Sequence, residues 1–145
     1  MKKYFLITAL LLGFQVTSME NSIGEFVWNE LATPNLQQAK DFYGKTFGWE
    51  FTDKDMGDMT YTFIKKGGKE FGGIWAIPSD MQNQIPPHWL AYISVDNLDQ
   101  AVDKAVKNGA TVVKPKKKAG DMGVFAVLKD PSGAHIALWQ STPKK

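Results

Sequence analysis

One carboxylate and two histidines recur at strand-like spacing beside aromatic side chains. Trp28-x-Glu30, His88-x-Leu90-x-Tyr92 and His135-x-Ala137-x-Trp139 each put alternate residues on one face of an extended chain. A carboxylate set among rings loses hydration, so its pKa rises unless a cation pairs with it. It can then serve as a general base, or anchor a cationic or hydroxyl-bearing ligand. Glu30 can equally satisfy backbone amides or a lysine at a rim. Histidines on neighbouring parallel strands come within roughly 5 Å of each other. There they can titrate as a coupled pair near neutral pH, or hold an adventitious cation such as Zn²⁺ or Ni²⁺. Two histidines without a third ligand make a poor metal site, so rim positions with a structural role are the expectation for both.

The residue types that are missing narrow the chemistry. The chain of 145 residues has no cysteine, which removes disulfides, thiol catalysis and thiolate metal sites together. All 17 basic residues are lysine. Without guanidinium forks, a ligand that demands a bidentate grip on carboxylate or phosphate, such as glutathione or a nucleotide, becomes less expected. The net charge of +2 is matched by Lys2 and Lys3 alone, so the rest of the chain is balanced and no nucleic-acid partner is implied. The lysine run at 114–118 reads as a solvated strand end and loop rather than an anion site. Apolar content of 43% supports one packed core, and the length fits one domain.

Residues 1–18 read as an export signal: Lys2 and Lys3, an apolar run from Tyr4 to Val16, then small residues at Val16-Thr17-Ser18. The run is too short to span a bilayer, which takes about 20 residues. The mature protein is then expected in the periplasm or the medium, with no membrane attachment. If Met19 is the true start, it is cytoplasmic.

The elements that must position these side chains come from a duplication. A shift of 62 residues lays Asn35-Leu36-x-x-Ala39 on Asn97-Leu98-x-x-Ala101, and Ile74 on Ile136. Each half reads as a strand (about 25–32 and 88–95), a helix capped by Asn35 or Asn97 (36–46 and 98–108), then three strands. The later strands are expected near 49–54, 60–66 and 70–77, and near 111–116, 123–129 and 134–140. Leu36, Ala39, Phe42, Tyr43 and Phe47 share one face of the first helix; Leu98, Ala101, Ala105 and Val106 share one face of the second. The fold class is therefore α+β, two βαβββ modules over residues 24–80 and 84–141.

Leu31-Ala-Thr-Pro-Asn-Leu-x-x-Ala-x-x-Phe42-Tyr43, then Phe47-Gly48-Trp49, resembles the first module of the vicinal-oxygen-chelate superfamily, which includes glyoxalase I, bleomycin-resistance proteins and extradiol dioxygenases. Ser94-Val-Asp-Asn-Leu and Asp130-Pro-x-Gly133 resemble its second module. The resemblance implies the glyoxalase/bleomycin-resistance fold over residues 24–141 and a site on the concave face of the sheet. Members that bind metal hold it with His, Gln or Glu from four strands. Carried over, those ligands fall on Trp28, Leu90, Ala137 and a residue between Gly72 and Trp75, none of which can coordinate a hard or borderline cation. No metal and no cofactor is therefore expected. With Trp28 and Leu90 inward, alternation puts Phe26, Glu30, Ala32, His88, Tyr92, Ser94, His135, Ala137 and Trp139 on the same face, and Trp75 can join them.

Three functions stay open. The first is a metal-free cavity that binds a small hydrophobic or aromatic molecule, through Trp28, Glu30, Trp75, His88, Leu90, Tyr92, His135 and Trp139. The second is a metal-independent glyoxalase-like enzyme with Glu30 as general base on a small carbonyl or hydroxy substrate. In the third, a partner chain closes the concave face, since members of this size commonly form homodimers.

Overall fold

The computed structural model describes residues 23–57 and 59–142, so the export signal read at residues 1–18 lies outside the described residues. The first module runs β1 (Phe26–Thr33), α1 (Leu36–Phe47), β2 (Glu50–Asp55), β3 (Thr60–Lys66) and β4 (Lys69–Ala76). The second runs β5 (His88–Ser94), α2 (Leu98–Lys107), β6 (Thr111–Ala119), β7 (Gly123–Lys129) and β8 (His135–Ser141). This is the α+β fold of two βαβββ modules that the periodicity predicts.

Helix starts follow from side-chain chemistry. Asn35 and Asn97 sit in extended backbone just before each helix, and their side chains accept from the amides of Gln38 and Gln100. Each cap satisfies an amide that the first turn leaves without a partner. Gly48 ends α1 in the left-handed region at φ 64°, and its amide donates to the Gly44 carbonyl.

The eight strands form one mixed sheet in the order β2-β3-β4-β1-β5-β8-β7-β6. The modules join edge to edge, with β1 antiparallel to β5 and Asn29 opposite Ala91. Those two positions are related by the 62-residue offset, so the local twofold axis passes between them. The sheet's two far edges approach each other. The Met56 methyl, after β2, lies 3.9 Å from where a Cβ on Gly120, after β6, would sit. The sheet is thus curled into a cup.

Both helices cover the convex face. Under α1, Leu31, Ala39, Ile64 and Ile74 pack with Leu36, Tyr43, Trp49, Phe51 and Phe71. Under α2, Leu98, Ala126, Leu128 and Leu138 pack with Ile93, Ala101, Val102 and Ala105. Burying each large aliphatic side chain here stabilises by roughly 1.5–3 kcal/mol. Among the described residues, no helix is long and apolar enough to cross a membrane.

Four local expectations change. Phe42 and Phe47 stay 56% and 51% exposed, because the apolar stripe of α1 is wider than the sheet beneath it. In α2, Val102 takes the packed position and Val106 faces solvent. A bulge between Phe26 and Trp28 breaks the alternation of β1, so that Val27 packs on the concave side and Phe26 is exposed. The lysine run lies inside β6, which continues to Ala119. Pro115 is tolerated there because β6 is an edge strand, with pairing shifts on both sides of Lys114.

Candidate functional site

The concave face carries the third set of packed side chains: Leu90, Tyr92, Val127 and Ala137, joined by Val27, Trp28, Phe125 and Trp139. One carboxylate lies near its centre. Glu30 projects from β1, level with Gly73 on β4 and Leu90 on β5. The Tyr61 hydroxyl donates to Glu30 Oε2 at 2.8 Å, and the Tyr92 hydroxyl donates to Oε1 at 3.0 Å. Trp28 Nε1 in turn donates to the Tyr61 hydroxyl at 3.0 Å. Strands β1, β3 and β5 thus contribute to one hydrogen-bonded chain, Trp28 to Tyr61 to Glu30, with Tyr92 arriving from the other module.

A gap in the sheet makes room for this chain. Tyr61 stands opposite Trp75, two residues along β4 from Gly73, and its ring leans across β4 to reach Glu30. A methyl group on Gly73 would coincide with the Tyr61 phenol oxygen. Glycine is therefore required here for close approach, not for a turn. The rings brace one another: Tyr61 and Phe63 meet edge to face with centroids 5.1 Å apart, and Trp28 and Phe63 at 6.1 Å.

Burial among these rings is the main effect on Glu30 and lifts its pKa above the ordinary carboxylate value of 4.5. The two phenol hydrogen bonds, then the charges of Lys114 and His88, pull it back only part of the way. Tyr61 and Tyr92 are pushed up as well, by burial first and by the Glu30 charge second, and so remain protonated donors.

The remaining site residues are placed less centrally. Leu90 lies opposite Glu30, and Trp75 opposite both Tyr61 and Ala32. Trp139 lies across Gly123, its Cζ2 atom 2.7 Å from where a Cβ there would sit. His88 Nδ1 donates to the Pro86 carbonyl at 2.8 Å, which holds its ring at the rim. His135 is exposed and faces Lys129 across the β7–β8 ladder. The expected histidine pair does not form in register. Tyr92 is level with Ala137, which sets His135 beside Leu90 rather than beside His88. The two histidines are two residues out of step because the ladder between these parallel strands is shifted by that amount.

Tyr61 was not singled out from the sequence, nor were Phe63, Phe125 and Lys114. The signal was available in the Tyr61-x-Phe63 alternation of β3 facing a glycine in the neighbouring strand. The four positions that the resemblance assigns to metal ligands hold Trp28, Leu90, Ala137 and, on the concave face of β4, Gly73 and Trp75. None offers a lone pair to a cation, and among the described residues no three His, Asp or Glu side chains converge. The residues present do not fit a divalent metal ion.

A cleft of about 450 Å³ lies on the opposite, convex side, beneath α2, lined by Ala101, Ala105, Leu128, Pro131, Ile136 and Leu138 among others. Its rim carboxylate, Asp130, already accepts from Ser132 and the Ala134 amide within its own turn. Ser94, Lys104 and Asn108 also line it, and the Asn108 side-chain amide donates to the Lys104 carbonyl.

The profile of the Glyoxalase/Bleomycin resistance protein/Dioxygenase superfamily matches residues 22–138. Over 116 residues the chain is 35% identical to the proposed glyoxylase CFP32 of Mycobacterium tuberculosis, covering 79% of this chain and 44% of that protein. It is 27% identical over 129 residues to the anthracycline biosynthesis protein DnrV of Streptomyces peucetius, covering 81% of this chain and 47% of that one. The chain therefore spans under half the length of these curated relatives. Among solved structures, the hypothetical protein BH1468 of Bacillus halodurans superposes with a TM-score of 0.67 at 10% identity, covering 84% of this chain and 97% of that chain. Methylmalonyl-CoA epimerase of M. tuberculosis gives 0.60 at 15% identity, covering 83% and 89%. At such identities the likeness is one of fold.

Proposed function

We propose, for a chain that belongs to the Glyoxalase/Bleomycin resistance protein/Dioxygenase superfamily, that the concave hollow binds one small, largely apolar or aromatic molecule without a metal ion. The observation that carries this reading is the Glu30 carboxylate, fixed by phenols from both modules at the centre of a ring-lined wall. Buried polar groups held in one geometry within an apolar surface are what orients a small ligand. A relative named for anthracycline biosynthesis is in keeping with a flat aromatic ligand.

A second reading is enzymatic, and the raised pKa of Glu30 favours it. In that reading Glu30 takes a proton from a small carbonyl or hydroxy substrate, as the relative described as a glyoxylase suggests. Export through residues 1–18 and assembly as a homodimer belong to the same proposal, to be checked by cell fractionation and by light scattering on the eluted protein.

A thermal-shift screen of small aromatic and carbonyl compounds tests the binding reading, since a ligand that binds only the folded state raises Tm. At least one compound is expected to raise Tm, unchanged by a chelator, with the affinity reduced about tenfold in Glu30→Gln because the amide cannot accept from both the Tyr61 and Tyr92 hydroxyls. A screen with no effect, or a shift that requires added metal, contradicts it. Turnover that disappears in Glu30→Gln while binding persists selects the enzymatic reading.

A further inference from the structure

We infer that the hollow selects an anion: a flat aromatic carboxylate whose ring lies on the aromatic wall and whose charge sits among Lys54, Lys114 and Lys117. This rests on the binding function proposed above and names the class of ligand.

The lysine run of β6 divides between the two faces of the sheet. Lys116 turns toward α2 and pairs with Asp99 at 2.6 Å. Lys118 stands opposite Val124, which packs beneath α2. Lys114 and Lys117 stand opposite Val127 and Phe125, both on the concave side, and residues directly opposite on neighbouring strands share a face. The Lys114 ammonium lies 5.8 Å from the centre of the Phe125 ring, and its charge is felt at Glu30. From the other edge, Lys54 of β2 stands opposite Tyr61 and so shares the face that holds Glu30.

The two edges meet near Met56 and Gly120, two residues after Lys54 and three after Lys117. Lys54 and Lys117 therefore flank the seam where the cup closes, and Lys114 lies three residues further from it along β6 on the same face. Among the described residues none of the three has an acidic partner; the ion pairs go to Lys40, Lys65 and Lys116. Glu30 faces them from the wall, already engaged by the Tyr61 and Tyr92 hydroxyls. A ring with a carboxylate at one end meets apolar wall with its body and unpaired ammonium groups with its charge. A neutral ring of equal size meets only the wall.

The test compares 2-naphthoate with the neutral 2-naphthylmethanol by calorimetry at low salt. The comparison is made on the full chain and on a Lys54→Gln/Lys114→Gln/Lys117→Gln variant, whose sites are exposed and whose fold is checked by circular dichroism. The unsubstituted chain is expected to bind 2-naphthoate roughly tenfold more tightly than the alcohol, a preference built from three weak, partly screened pairs. The triple variant should bind both alike, with affinity for the alcohol unchanged. If the alcohol binds as tightly as the carboxylate to the unsubstituted chain, or the preference survives in the variant, anion selection is wrong while the binding function stands. If neither compound binds, anion selection falls, and the thermal-shift screen decides the binding function separately.

Discussion

Under the 62-residue offset Trp28 corresponds to Leu90 and Glu30 to Tyr92, while in the outer strands the ladders add two residues and set Tyr61 against Phe125, Gly73 against Ala137 and Trp75 against Trp139. The two positions beside the twofold axis differ in kind, whereas Trp75 and Trp139 are alike and the positions beneath the helices stay apolar: Leu36 and Leu98, Ala39 and Ala101, Ile74 and Leu138. Each module even lays an aromatic ring across a glycine, but in opposite senses. In the first, Tyr61 of the third strand crosses Gly73 of the last; in the second, Trp139 of the last strand crosses Gly123 of the third. Packing constrains both halves equally, because a core position tolerates only similar volume. The hollow is free of that constraint, so divergence there turns two related surfaces into one asymmetric site with a single carboxylate. The convex side differs too. Tyr43 stacks on Trp49 and accepts from Trp89 Nε1 under the first helix, while under the second Ala105 and Ala110 line the 450 Å³ cleft.

The comparison breaks most visibly at the glycines. Gly73→Ala should expel the Tyr61 ring and cost about 2–4 kcal/mol by overpacking and lost hydrogen bonds. Gly123→Ala should cost a similar amount through Trp139. Only the first should disturb Glu30, so Tm falls in both variants while the Glu30 titration moves in one. If both leave Glu30 unchanged, the two ring-over-glycine contacts are equivalent and the asymmetry is lost. Next in size, Tyr43→Ala should cost about 2–3 kcal/mol by opening a void like that of the second module. The reverse change, Ala105→Ile, should fill part of the cleft and stabilise by roughly 0.5–1 kcal/mol. Urea midpoints at constant m-value check both.

A smaller effect concerns pH. Because the folded pKa of Glu30 lies above 4.5, the native state binds more protons than the unfolded chain through that interval. Its contribution is fully present below the unfolded pKa and is lost as pH rises through the folded value. Asp53 runs the other way: Lys40 and Thr62 hold its pKa below 3.8, so its contribution is lost on acidification. Glu30→Gln should therefore flatten the decline of Tm above the ordinary carboxylate range and leave the acid limb intact. An unchanged slope there would remove the desolvation argument. Smallest of all, Lys116→Gln should change stability by under about 0.5 kcal/mol, since its pair with Asp99 is exposed.

Much of this architecture is legible in the residues. Asn35, Asn97 and Gly48 mark helix ends because only certain side chains suit those backbone positions. The face shared by Trp28, Glu30, Leu90 and Tyr92 follows from period-two alternation. Other features depend on pairing between distant strands, which single-chain patterns do not encode. The bulge at Val27, which turns Phe26 away, carries no glycine or proline to announce it. The offset that separates His88 from His135 is a property of the β5–β8 ladder. The division of the lysine run requires knowing that β6 continues past Pro115 as an edge strand. Tyr61 belongs between these groups: its alternation with Phe63 was readable, but its reach across Gly73 to Glu30 needed the neighbouring strand.

The account depends most on the state of one carboxyl group, and ¹³C NMR of the Glu30 side chain, titrated with and without 2-naphthoate, measures it directly. The prediction is a midpoint above 4.5 in the free protein that rises further when the probe occupies the hollow. A midpoint at or below 4.5 that the probe does not move would contradict it.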